Sequence, residues 1–369
     1  MKPVYLLVSI LIFSCFDALT QRREPLDITM DWESYDPPSS LVVPETPTPK
    51  AKFPFIDIHS HHWRLADQNV DELIDKLDGL NMQVVVNLSG RGGERLKAMT
   101  DNIKKYGHED RIVTFTNIEL RSIDEPDWAV ETLKQMAYDK ENGASGLKIY
   151  KSQGMSNEDS QGNRIRINDA RIDPIWAKCG EYGWPILIHS ADPKQFWEAH
   201  DSLNERWLEL KLRPGRKREN DNPAPWATIV GEMHDIIRRH PGTNFIAAHM
   251  SWYANDFNKL SELLDEMPNM YVEIGAVIAE LGRQPRNANK FFAKYQDRIL
   301  FGKDSFNPEE FPTYFRVLET DDEYFPYYKR YHAFWRMYGL ALPDDILKKV
   351  YYKNALKLLP HLDSSVFPD

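Results

Sequence analysis

The sequence predicts an α/β protein folded as a (β/α)8 TIM barrel with a single catalytic domain. Eight short β-branched runs recur after Lys52, longer amphipathic stretches alternate with them, and the whole repeat fills one unit of roughly 310 residues. Strand and helix in strict alternation favour a parallel sheet, and eight repeats favour its closure.

The runs follow in order. Phe55-Ile56-Asp57-Ile58 opens the barrel, followed by Val84-Val85-Val86, Ile112-Val113-Thr114-Phe115 and Gly146-Leu147-Lys148-Ile149. Ile186-Leu187-Ile188, Phe245-Ile246-Ala247-Ala248, Tyr271-Val272-Glu273-Ile274 and Ile299-Leu300-Phe301 complete the set. Helical patterns lie between them, as at Val70 to Leu80, Asp127 to Lys140, Pro225 to His240 and Asp256 to Met267. No Gly-rich turn follows the first run, which disfavours a doubly wound open sheet.

Composition narrows the function classes. Of 369 residues, 42% are hydrophobic, and ten Trp with seventeen Tyr and seventeen Phe supply a large core, which excludes intrinsic disorder. A formal net charge of −10 argues against a nucleic-acid partner, which needs a basic surface. Two cysteines exclude a disulfide-stapled scaffold. Cys179 lies in a helix-like stretch and reads as a small buried apolar side chain.

The ends divide from the barrel. Residues 1–20 read as an export signal: Lys2 precedes an apolar run from Val4 to Phe16, too short to span a bilayer. Two processing readings stay open. Cleavage after Thr20 gives a periplasmic or secreted protein, whereas acylation of Cys15 in Ile12-Phe13-Ser14-Cys15 attaches it to a membrane at the cell surface. Residues 21–52 are polar and proline-rich and read as a spacer, leaving 53–362 for the barrel.

Side chains two apart share a face of a strand. Asp57, His59 and His61 therefore point together at the end of the first strand. His189 ends the fifth strand, His249 the sixth, and Asp304 follows the eighth, while Lys148 stands on the inward face of the fourth. Four of the eleven histidines thus gather with an aspartate at one mouth of the barrel. Crowded imidazoles repel when protonated and leave acceptors unpaired when neutral, and a divalent cation resolves both problems.

This ordered set, His59-Ser60-His61 on strand one, His189 on five, His249 on six and Asp304 on eight, resembles the amidohydrolase superfamily. The closest branch is the amidohydrolase-related, metal-dependent TIM-barrel group that includes decarboxylases. The resemblance runs from 53 to 360, ending in Lys353-Asn354-Ala355-Leu356-Lys357-Leu358-Leu359, where an Asn-Ala-x-x-Leu-type segment commonly caps the C-terminal helix.

The resemblance implies His59, His61, His189 and Asp304 as ligands to one metal ion, Zn²⁺ by donor type. It implies an activated water, His249 holding or protonating the reacting group, and Asp304 accepting the water's proton. Asp57 either orients an imidazole or is a buried carboxylate bonded to backbone amides. In binuclear relatives a strand-four lysine is carboxylated and bridges two ions. Here one ion is expected, with Lys148 binding an anionic or carbonyl group of the substrate, and a second ion if Lys148 is carboxylated.

Two loops are expected to shape the pocket. Asp192 to Asn244 is long and carries the basic run Lys211 to Arg218, read as a solvated loop, with a lid for acidic substrates as the alternative. After strand seven, Arg283 either binds a substrate carboxylate or forms a structural ion pair. Tyr324 to Tyr338 reads as core and helix packing. The function expected is hydrolysis of an amide, ester or lactone in a small, carboxylate-bearing substrate, and the alternative is decarboxylation on the same barrel.

Overall fold

The computed structural model describes residues 27–368 and divides them into two units, one up to Val42 and one from Val43 onward. The expected signal, with Cys15, lies outside the described residues. In the first unit the chain makes a turn in which Ser34 N–H donates to Asp31 O at 3.1 Å and the Ser34 hydroxyl to the Asp31 carboxylate.

In the second unit eight strands lie side by side in sequence order. They are β1 (Phe55–Ser60), β2 (Met82–Asn87), β3 (Ile112–Asn117), β4 (Ala144–Ile149), β5 (Ile186–Ile188), β6 (Phe245–Ala247), β7 (Met270–Glu273) and β8 (Ile299–Leu300). All seven successive pairings are parallel. The sheet closes on itself where Ile58 N–H donates to Phe301 O at 3.0 Å and Asp304 N–H to His59 O at 2.6 Å. Strands buried on both faces need continuous apolar runs, and every residue of β1 and β5 is buried.

One principal helix follows each strand. They are α1 (Val70–Gly79), α2 (Glu94–Tyr106), α3 (Trp128–Glu141), α4 (Asp173–Tyr182), α5 (Trp226–Arg239), α6 (Phe257–Glu266), α7 (Pro285–Lys294) and α8 (Phe311–Glu319). In α1 the buried residues Val70, Leu73, Ile74 and Leu77 recur at helical spacing, and Asn69 caps it by accepting from Asp71 N–H at 3.0 Å. Cys179 is buried in α4, as expected, and burial pushes its thiol pKa up.

An aromatic cluster seals the seam between the first and last strands. The Phe55 ring lies 4.7 Å from Phe301, 5.4 Å from Phe315 and 5.8 Å from Tyr351. Tyr351 belongs to the C-terminal helical stretch 344–358, which contains a π-helical turn at Lys349–Lys353. Asn354 follows that turn. It opens the last helical piece, Asn354–Leu358, so the segment closes the C-terminal helix as the resemblance implied. Its fully buried amide donates to Gln296 O at 2.7 Å and Ile299 O at 2.8 Å, tying the stretch to β8.

Three expectations are refined. The spacer ends earlier than 52, because Thr46 bonds the Asp322 carboxylate through its N–H and hydroxyl, Lys52 N–H donates to Glu319, and Ala51 is buried. The segment Tyr324 to Tyr338 packs into the core and against α8, as expected, with Phe325, Tyr327 and Met337 buried and the Arg316 guanidinium 4.1 Å from the Phe325 ring centroid. It is an excursion in which Phe325–Pro326 and Arg336–Met337 pair antiparallel. The basic run is exposed from Lys211 to Gly215, as a solvated loop is, but its end is held by carboxylates: Arg216 pairs with Glu209, and Arg218 with Asp192 at 2.9 Å.

Replacing Asn354 by alanine leaves the Gln296 and Ile299 carbonyls without their donor. Asn354→Ala is expected to lower stability by about 2–3 kcal/mol, seen as a lower denaturant midpoint at unchanged slope. An unchanged midpoint contradicts the assignment of Asn354 as a tie.

Candidate metal centre

The C-terminal ends of β1, β5, β6 and β8 bring His59, His189, His249 and Asp304 together, with His61 just beyond β1. The ring of His59 lies 5.4 Å from His61, 5.1 Å from His249 and 6.5 Å from His189, and His189 lies 4.4 Å from His249. His59 and His249 are buried, and His61 and His189 partly so.

Tautomers follow from the partners. His59 Nδ1–H donates to Glu273 Oε1 at 3.0 Å, and His249 Nδ1–H donates to Gly275 O at 2.7 Å. Both partners can only accept, so each ring keeps its Nε2 lone pair for the interior. His61 Nδ1 lies 2.7 Å from Ser89 Oγ. Among the described residues the buried Nε2 atoms of His59, His189 and His249 have no hydrogen-bond partner. Each such acceptor costs about 1–3 kcal/mol when left unmade.

A cation beside Asp304 would satisfy those of His59 and His189 and leave His249 Nε2 as a free acceptor. His59 Nε2 and His61 Nε2 stand 3.3 and 3.5 Å from Asp304 Oδ1, and ligand atoms of the three residues lie within 4.8 Å of one another. Two ligands ~2.1 Å from a tetrahedral ion are ~3.4 Å apart, so the spacing fits a zinc-sized ion. His189 borders the same space with its unpartnered nitrogen. A second group, His59, His249 and Glu273, is equally close. Its proximity is that of hydrogen bonds, since Glu273 Oε1 already accepts from His59 Nδ1 and from His249 N–H at 2.6 Å.

Glu273 has no counterpart among the site residues expected from the sequence. It is fully buried at the end of β7, and its Oε2 accepts from Gly275 N–H at 2.5 Å. Burial alone raises a carboxyl pKa, yet His59, His249 and the backbone donors prevail and hold Glu273 at about 2. Gly302 makes room for it, because a Cβ there would meet Glu273 Oε2 at 2.5 Å and His59 Cβ at 3.0 Å.

Charge in the cluster is divided. Burial lowers His61 to about 4, and burial with the neighbouring His249 and Lys148 lowers His189, keeping these rings in the neutral, ligating form. Burial raises Asp304, but His59 and His61 outweigh it and hold the carboxylate well below its usual range.

The backbone is unusual here. His249, Met250, Ser251 and Trp252 have φ of 57, 52, 55 and 59°, a left-handed turn of four non-glycine residues, and Asp304 has φ 82°. Each left-handed residue costs roughly 1–2 kcal/mol. The turn is fastened by His249 N–H to Glu273, Ser251 Oγ to His234 Nε2 at 2.9 Å, and Trp252 Nε1–H to Ser190 O at 3.0 Å.

The other expected residues divide. Lys148 is fully buried in the barrel interior, its Nζ lacks a hydrogen-bond partner among the described residues, and burial lowers its pKa to about 8. Asp57 takes the backbone alternative: it accepts from His59 N–H at 3.0 Å and Lys303 N–H at 3.1 Å. Arg283 takes the ion-pair alternative. It donates to both Glu205 oxygens at 2.9 and 3.1 Å, lies 2.6 Å from Glu280 Oε2 and covers the Trp335 ring at 4.0 Å. With its guanidinium committed to protein carboxylates, it is withdrawn as a substrate ligand.

A protein-family profile described as amidohydrolase matches residues 106–361. Among solved structures, an uncharacterized TIM-barrel protein from Bordetella bronchiseptica aligns with a TM-score of 0.51 at 14% identity, over 84% of this chain and 99% of that one. A 2,6-dihydroxybenzoate decarboxylase complexed with 2,6-dihydroxybenzoate aligns at 0.51 and 13% identity, over 83% of this chain and 99% of that one. At these identities the likeness is one of fold. No curated protein matches the chain.

Glu273→Gln removes the charge behind His59 and sets an amide against backbone donors. It is expected to weaken metal affinity about 10–100-fold, measured by competition with a chelating dye. Unchanged affinity contradicts the orienting role.

Proposed function

The chain belongs to the amidohydrolase family, and from that premise we propose that it is a metal-dependent hydrolase of an amide, ester or lactone in a small, carboxylate-bearing substrate. The observation that carries the reading is the set of buried, unpartnered imidazole Nε2 atoms beside Asp304. In this reading His59, His61, His189 and Asp304 hold one divalent ion, and nitrogen donors with one carboxylate favour Zn²⁺. Such an ion, when bound, lowers the pKa of a coordinated water toward ~7 and polarises a carbonyl.

The remaining work belongs to the chain's own residues. Glu273 fixes His59 with its Nε2 inward, and Gly275 O does the same for His249. Asp304 accepts the proton of the attacking water at its carboxylate. His249 Nε2, a lone-pair acceptor in this tautomer, takes that proton from Asp304 and passes it to the leaving group. Lys148 Nζ binds an anionic or carbonyl oxygen of the substrate. One ion per protomer is proposed, with Lys148 serving the substrate rather than bridging a second ion. Export, read from residues 1–20, brings this activity to an external compound.

Elemental analysis of the zinc-loaded chain is expected to give one equivalent. Chelation should abolish turnover of a panel of carboxylate-bearing lactones, esters and amides, and Zn²⁺ should restore it. His59→Ala is expected to lose both metal and at least about 100-fold in activity. Solvent ¹⁸O should enter the product. Release of CO₂ without solvent oxygen overturns hydrolysis in favour of decarboxylation, and two equivalents, the second lost in Lys148→Ala, overturn the single-ion site.

A further inference from the structure

Beside the metal centre, on the same face of the barrel, lies a cavity of about 850 Å³ formed by the loops after β2, β3 and β4. That is ample for a small organic ligand. The wall nearest the centre is aromatic. Trp63 stacks on His61 with ring centroids 5.6 Å apart and planes at 7°, and on Tyr150 at 6.0 Å and 17°.

The outer wall is cationic. Arg91, Arg95 and Arg121 all line it, and among the described residues none of the three is paired with a carboxylate. In a chain of net charge −10 this contrasts with Arg164, Arg171, Arg206, Arg238 and Arg283, each of which has an acidic partner. Glu119 is the carboxylate in the lining, and Lys151, at the rim, is held by Asp192 at 2.5 Å.

Arg91 is built into place. It has φ 62°, its N–H donates to Asn117 Oδ1 at 2.9 Å, and its carbonyl accepts from Asn117 N–H at 2.6 Å. The residue before it must be glycine, since a Cβ at Gly90 would meet the backbone Phe115 O at 2.2 Å, and one at Gly92 would displace the Gln135 amide. The loop is thus pressed onto the end of β3, and the Arg91 guanidinium sits over Trp63, 4.7 Å from the ring centroid. A left-handed arginine fastened to its neighbour strand and left without an acid is a preorganised donor for an anion.

We propose that this cavity is a substrate subsite in which Arg91 and Arg121 grip a carboxylate or phosphate group, while a flat apolar part of the substrate lies along Trp63. It rests on the hydrolase reading only for calling the ligand a substrate. The anion is held at the outer wall, and the flat body carries the scissile group toward His61.

Isothermal titration of the full chain with phthalate, phenyl phosphate and neutral phthalamide tests it, both zinc-loaded and after EDTA treatment. One anion should bind one to one, at least about tenfold tighter than phthalamide, and more weakly at high salt. The tighter of the two anions identifies the group. Arg91→Gln with Arg121→Gln should weaken binding at least about tenfold in both forms at unchanged melting temperature, and Arg91→Lys should recover part of it. Equal affinity for phthalamide, or full affinity in the double variant, overturns the proposal. Anion binding that vanishes with EDTA and ignores the arginines overturns it too, placing the anion on the metal. Because the EDTA-treated chain reports the subsite without turnover, failure of the hydrolase reading is seen separately.

Discussion

A single buried carboxylate organises the mouth of this barrel. Glu273 accepts from the His59 ring, from His249 N–H and from Gly275 N–H. It therefore links β1, β6 and β7 at the level where the imidazoles meet. A buried anion is costly unless every lone pair is used, and here the donors that stabilise it are those whose orientation the site requires. Two consequences follow from that arrangement. The His59 ring is turned with its Nε2 inward, and the chain after β6 is drawn into a left-handed turn that projects His249 into the same space.

Around that point the geometry is fixed by loops with strained backbones. Non-glycine residues with positive φ follow β2 at Arg91, β5 at Ala191, β6 at His249, β7 at Ala276 and β8 at Asp304. Such conformations persist where hydrogen bonds over-determine them. The strands and helices supply a rigid frame, and most of the strain lies on the face where the chemistry is placed, with Asn81, Tyr324 and Ala341 the exceptions among the described residues. Further out, the long β5 loop is fastened to the β7 loop by Arg206 to Glu280 at 3.0 Å and by Arg283 to Glu205, to the β4 end by Lys151 on Asp192, and to itself by Arg218 on Asp192.

Much of this was legible in the sequence. Buried parallel strands need unbroken apolar runs, so all eight could be located, and the helices between them obey the helical period. The four histidines and Asp304 were legible because each stands at a strand end in one register. Glu273 was not, because one acidic residue in a strand reads as an ordinary alternation; its signal was a carboxylate in the last position of a strand otherwise apolar on its inward face. The fate of Arg283 and of the 211–218 run could not be read either. It depends on partners such as Glu205, Glu209 and Asp192, which only the fold brings near. Likewise Arg91 lies in a glycine-rich stretch, Ser89-Gly90-Arg91-Gly92-Gly93, whose meaning emerges only when β3 is seen against it.

The central claim is that the unpartnered imidazoles form one cation site. Anomalous diffraction from crystals of the zinc-loaded chain, recorded on both sides of the zinc edge, tests it most directly. The account predicts a single peak bounded by His59 Nε2, His61 Nε2, His189 and Asp304, with His59 Nδ1 still on Glu273. A peak elsewhere, or none with the three Nε2 atoms turned to protein partners, would contradict it.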